Sequence, residues 1–195
     1  TIVLLPESSI MSLASVLDPM RAANRVVPEP VFRWKILSPR GEPVLLTCGV
    51  EIRVDGSFAD VTSGDALLLI AGFNQDRHAG RDFVARLKKI ARRFGVVAGI
   101  ESGCWLLARS ALLDGRDATA HWEELEDFAA AFPALNVRAD RFVTARDAQR
   151  PQWRSTFGRI PVCNRDRNPC RSSSADARRT GCPSRQGRSA QGPSR

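Results

Sequence analysis

Apolar residues fall into two spacings along the first 150 positions, and the alternation between them lays out the elements. Residues 1–5 form an unbroken apolar run after Thr1, ended by Pro6, which predicts a fully buried first strand. From about Ser9, Ile10, Leu13, Val16, Leu17 and Met20 recur at helical spacing, and Pro19 inside that stripe predicts a kink or break. Residues 31–38 have strand composition, closed by a Ser-Pro-Arg-Gly turn at 38–41. Residues 43–46 and 50–54, separated by Thr47, Cys48 and Gly49, read as a short hairpin or two edge segments. The run at 65–71 predicts a central strand, with residues 72–78 as its C-terminal loop. A helix over 81–94 then buries Phe83, Val84, Leu87 and Ile90 and turns Arg and Lys outward.

Residues 94–109 are the stretch around which the rest is organised. Val96, Val97 and Ile100 give a buried strand, with Gly95 and Gly99 as close-packing or turn residues. From Trp105 the spacing becomes helical, through Leu106, Leu107, Ser110 and Leu113, and closes at residues 113–115. Glu101, Ser102 and Gly103 lie between. A strand that turns this sharply into a helix strains its central residue, as in a nucleophile elbow. Here that residue is Glu101. Further on, 118–121 reads as a short strand feeding a helix over 122–132, with Thr119 as candidate N-cap and Pro133 as the stop. Residues 135–137 and 141–144 are two more strand candidates. This order implies an α/β fold, a mostly parallel sheet with helices on both faces. Ligands in such sheets bind at the carboxyl ends of the strands, where Gly72, Phe73, Glu101 and Ser102 would gather.

Charge and composition divide the chain. Residues 1–149 carry 18 Lys+Arg against 19 Asp+Glu, whereas residues 150–195 carry 11 Arg against 2 Asp. The formal charge of +8 therefore belongs to the C-terminal part. No Leu occurs from Asn136 onward, and residues 148–195 are rich in Arg, Ser, Pro and Gly without periodicity. That composition predicts a disordered tail, and the abrupt change is the expected result of a frameshift in a GC-rich gene. The ordered domain is accordingly expected over 1–147. Five cysteines and no secretory segment point to reduced thiols and a cytoplasmic location. No apolar run reaches the roughly 20 residues of a membrane span. Cys163, Cys170 and Cys182 lack paired short spacing, so neither a metal nor a cofactor is expected.

Each candidate residue carries two readings. Glu101 either contacts a ligand or only caps the following helix. Cys104 is a buried small hydrophobe one turn into that helix, or, as the cysteine close to the elbow, a nucleophile. His121, beside Trp122, lines a pocket or terminates a strand by a local hydrogen bond. His78 is expected to be solvent-exposed, with a pocket rim as its functional alternative. Trp34, Trp105 and Trp122 read as core or interface aromatics.

Residues 12–24, 68–72, 99–108 and 112–125 together resemble the ThiJ/PfpI-like N-terminal domain of AraC-family transcriptional regulators, over about residues 1–146. The Ala-Thr-Ala-His-Trp-Glu block at 118–123 is the most specific part. The resemblance implies a flavodoxin-like three-layer sandwich of the class I glutamine amidotransferase-like superfamily. Enzymatic relatives carry a Cys at the elbow, a His after the next loop and often a Glu from the first helix. This chain has Glu101, His121 and Ser12 at those places. The resemblance therefore implies a sensing domain with a small-molecule ligand, amine or amino-acid-like, facing Glu101, and a homodimer. No helix-turn-helix can be read in residues 1–195, so no specific DNA binding is expected from them. The alternative is a ThiJ/PfpI-like hydrolase or lyase using Cys104 or Glu101 with His121.

Overall fold

In the computed structural model, residues 1–140 are described, and all of them fall within one compact unit. The chain opens with β1 (Ile2–Leu4) and α1 (Ile10–Val26), followed by β2 (Ile36–Ser38). The hairpin β3 (Val44–Leu45) and β4 (Glu51–Ile52) precedes β5 (Gly56–Ser57) and the long strand β6 (Gly64–Ala71). Then come α2 (Gln75–His78), α3 (Arg81–Ile90), β7 (Phe94–Glu101) and α4 (Gly103–Arg109). A small unit of β8 (Asp117–Ala118), α5 (Leu125–Ala131) and β9 (Asn136–Val137) ends the described chain.

Five strands form one parallel sheet in the order β5-β2-β1-β6-β7. Alternation along the strands fills both faces, as the pleat requires. On one face Val3, Leu5, Leu67, Leu69 and Ala71 pack with Phe83, Leu87 and Ile90 of α3 and with Leu106 and Leu107 of α4. On the other, Ile2, Leu4, Leu68, Ile70 and Ile100 meet Leu13 and Val16 of α1 and Val44 and Leu46 of the hairpin. The chain is thus a flavodoxin-like three-layer sandwich, as the resemblance implies, and its parallel sheet with helices on both faces is what the element order predicts. Each fully buried Leu or Ile contributes about 1.5–3 kcal/mol, so these two layers are the main source of stability. Among the described residues no helix is long and apolar enough to cross a membrane.

The structure corrects several boundaries. α1 runs unbroken through Pro19. The hydrogen bond that Pro19 cannot make belongs to the carbonyl of Ser15, and both residues are exposed, so the missing bond falls on the solvent side of the helix. β2 is three residues rather than eight. Asn24 of α1 takes both backbone groups of Phe32, donating to its carbonyl (2.7 Å) and accepting from its N–H (2.8 Å), which withholds them from a ladder. The loop at 72–78 contains α2, and the helix expected to 94 ends at Ile90, with a 3-10 turn over Ala91–Arg93. Among the described residues β7 is an end strand of the sheet, and Val96, expected within a buried strand, is exposed. Thr119 donates to the carbonyl of Asp140 (2.8 Å), and His121 occupies the cap position expected for it. The strand candidate at 141–144 and the expected tail lie outside the described residues.

Candidate functional site

The site begins with three close backbone approaches. A Cβ on Gly72 would stand 2.2 Å from the carbonyl oxygen of Glu7, and one on Gly103 would stand 2.2 Å from that of Leu69. One on Gly99 would meet the backbone of Gly103 and Cys104 at 2.5 Å. No side chain fits at these distances, so glycine lets the end of β6 and the start of α4 nest against their neighbours. The turn between β7 and α4 is then as sharp as an elbow requires. Its tip is Glu101, in the left-handed region at φ 52°. For a residue with a long side chain that conformation costs of order 1–3 kcal/mol and persists only where the surroundings impose it. The Ser102 N–H donates to the carbonyl of Ala71 (3.1 Å), pinning the turn to the end of β6.

The Glu101 side chain is half-buried, and its Oε1 accepts a hydrogen bond from the Ser12 hydroxyl of α1. Ser12 is itself buried, at the first turn of the helix expected to face the elbow. No hydrogen bond from the α4 amides to Glu101 is formed, so Ser12, rather than the helix terminus, holds the carboxylate. No cationic side chain lies within ion-pair distance of Glu101 among the described residues.

Ser102 has a different partner. Its hydroxyl donates to Oε2 of Glu124 (2.9 Å), and the same oxygen accepts from Nε1 of Trp105 (3.2 Å). Glu124, half-buried at the turn before α5, is a second carboxylate beside the elbow that sequence reading missed. Its one signal was the Glu123-Glu124 pair after His121, which reads equally well as acidic residues favoured at a helix start.

Cys104 is the second residue of α4, not one turn in, and is buried with Ala108, Ala118, Ala120 and Phe128. Desolvation, reinforced by the nearby Glu124 carboxylate, pushes its thiol up to about 12. A thiol so placed is not a thiolate near neutrality. His121 packs edge-on against Phe73 (centroids 5.4 Å apart), and its Nδ1 accepts from the Glu123 N–H at 3.4 Å. Phe73 is 58% exposed, and Trp122, read above as core or interface, is 50% exposed. Trp105 does pack inward, against Phe128 and Phe132. His78 departs from the expected exposed position. It is partly buried, with Nε2 3.4 Å from Glu7 Oε2. Its neighbour Glu7 has its carboxyl held below the usual range, first by the hydrogen bond from Asn74 (2.6 Å) and then by His78.

The structure thus gathers Ser12, Gly72, Glu101 and Ser102 around the elbow, with Phe73 against His121 following Gly72 in the chain. His78 belongs to a separate cleft of about 150 Å³ at the carboxyl ends of β1 and β2, which the elbow residues do not line. No group of three or more His, Cys, Asp or Glu side chains is placed to hold a metal among the described residues.

Residues 10–156 match the DJ-1/PfpI family. The chain belongs to that family. Over 139 residues it is 38% identical to the HTH-type transcriptional regulator CdhR of Pseudomonas aeruginosa, a match covering 71% of this chain and 41% of that protein. Over 159 residues it is 31% identical to the HTH-type transcriptional regulator GbdR of the same species, covering 82% and 42%. The matched part of the chain therefore spans under half the length of these regulators. Among solved structures, an AraC family transcriptional regulator from Pseudomonas putida superposes with a TM-score of 0.63 at 24% identity, over 73% of this chain and 77% of that one. DJ-1beta from Drosophila melanogaster gives 0.58 at 19% identity, over 74% and 76%. Both share the fold of this DJ-1/PfpI domain.

Proposed function

We propose that residues 1–140 are the core of a non-catalytic sensing domain of an AraC-type transcriptional regulator, with a small amine or amino-acid-like ligand bound at Glu101. The observation that carries this reading is the elbow tip itself. A carboxylate stands where a nucleophile would act, is oriented by Ser12, and has no cationic side chain within ion-pair distance among the described residues. A half-buried carboxylate gains most from a charged donor, because such hydrogen bonds are about twice as strong as neutral ones. Ser102, Gly72, Phe73 and His121 complete the ligand's surroundings in this reading. The regulatory relatives support it, since CdhR and GbdR are transcriptional regulators matched over this region.

The alternative hydrolase or lyase chemistry has less support. The thiol of Cys104 is buried and held protonated, and Glu101 is the elbow residue. In the proposed assignment the domain acts in the cytoplasm as a homodimer, and sequence-specific DNA contacts belong to a helix-turn-helix domain rather than to these residues. A thermal-shift screen of amines and amino acids tests the ligand class. A stabilising ligand whose effect disappears in Glu101→Ala is the expected result; no response across the panel, or a response indifferent to Glu101, would sink the proposal.

A further inference from the structure

The cleft beside β1 and β2 has features that the elbow does not explain. Pro6, Pro39, Pro43 and Val44 form stiff walls, and Ser38, Arg40, Glu42, Arg77 and His78 supply the polar lining. The turn carrying Arg40 is fixed from inside: the Ser38 hydroxyl donates to the Glu42 carbonyl (2.7 Å) and accepts from the Gly41 N–H (2.9 Å). Neither guanidinium makes a hydrogen bond or an ion pair within 4 Å among the described residues. The His78 Nε2 is shut off from solvent, and its near partner is the Glu7 carboxylate, at an ion-pair distance of 3.4 Å. Two carboxylates oppose an anion here: Glu42 on the lining, and Glu7, which acts on Arg77 and His78 from behind. Arg40 and Arg77 exceed Glu42 by one positive charge on the lining itself, a surplus that Glu7 beside it offsets, and each presents five N–H donors in a planar fork. Sites of this kind belong at the carboxyl ends of parallel strands.

We propose that this cleft is a second binding site, independent of the elbow, that takes a small oxyanion between Arg40 and Arg77. A carboxylate and a phosphate share the required chemistry, and a volume of about 150 Å³ holds a group of that size. α2 carries Arg77 and His78, and its Gln75 accepts from Arg109 of α4 (3.0 Å), so an occupied cleft would bear on the helix behind the elbow.

The test is a thermal-shift and calorimetric titration of the full chain with sodium phosphate and, separately, sodium acetate, against chloride at matched ionic strength. At least one oxyanion is expected to raise the melting temperature beyond chloride, and the one that does names the class. Arg40→Ala and Arg77→Ala should each weaken that binding by tenfold or more. Arg92→Ala, an equal change of charge at an exposed position away from the cleft, should leave it unaltered. No response to either anion, an equal loss in Arg92→Ala, or full retention in an Arg40→Ala/Arg77→Ala double variant would each overturn the assignment.

Discussion

The Ser12 hydroxyl donates to Oε1 of Glu101 across 89 positions of sequence, joining the first helix to the tip of the elbow. One bond fixes where the carboxylate can point. A hydrogen bond to a charged group is worth about 1.5–3 kcal/mol. Ser12→Ala should therefore leave Glu101 present but less well aimed, weakening a cationic ligand roughly tenfold, while Glu101→Ala removes the response altogether. Isothermal titration with a ligand found in the amine screen separates the two.

The nested glycines should be far less tolerant than their size suggests. In Gly72→Ala and Gly103→Ala the new methyl group meets backbone carbonyl oxygens, which cannot turn aside as a flexible side chain can. A loss of about 3 kcal/mol or more is expected for each, at the upper end of overpacking effects. Chemical denaturation measures it, and a loss under 1 kcal/mol would mean the turn is looser than described.

Ala111 offers the opposite case. It sits just beyond α4 at φ 55°, where its N–H donates to the Ala108 carbonyl (2.9 Å) and the Leu112 N–H to that of Leu107 (3.0 Å). That is the left-handed helix ending usually built on glycine. Because the position is exposed and strained, Ala111→Gly should stabilise by about 1 kcal/mol, raising the melting temperature by about 2–4 °C.

Cys104 gives a pH dependence with a definite sign. Its folded-state pKa, about 12, lies above the ordinary 9.0, so the unfolded chain loses the proton first. The contribution is fully present below pH 9 and is lost as pH rises toward 12, with a slope of up to about 1.4 kcal/mol per pH unit. Denaturation curves from pH 8 to 11 should show that slope in the parent and a shallower one in Cys104→Ala. Iodoacetamide should label Cys104 slowly at pH 8, and somewhat faster in Glu124→Gln, because removing a negative charge lets the thiol ionise more easily.

The layers and the elbow were legible in the sequence because they rest on local pattern. Ile70 and Leu69 point to opposite faces by strand alternation alone, and Gly99 and Gly103 bracket Glu101 within a few residues. The end of α4 was not legible, because Ala111 occupies the place where glycine would have marked the stop, and Gly115 drew the boundary four residues late. β2 was read too long because a side chain from another element, Asn24, decides the fate of Phe32. Glu124 escaped for the same reason: its partners, Ser102 and Trp105, are 22 and 19 positions away. The sequence resemblance did place Ser12 opposite the elbow, a contact that no periodicity would have shown.

Both hydrogen bonds that join the elbow region to Glu124 end on a single oxygen, Oε2, at the threshold of α5. Ser102 reports the elbow and Trp105 reports the first turn of α4, so the two cannot part company without one of them releasing that atom. Displacing the end of β7 from α4 would therefore cost one of these two bonds, and through Glu124 the start of α5 is tied to both.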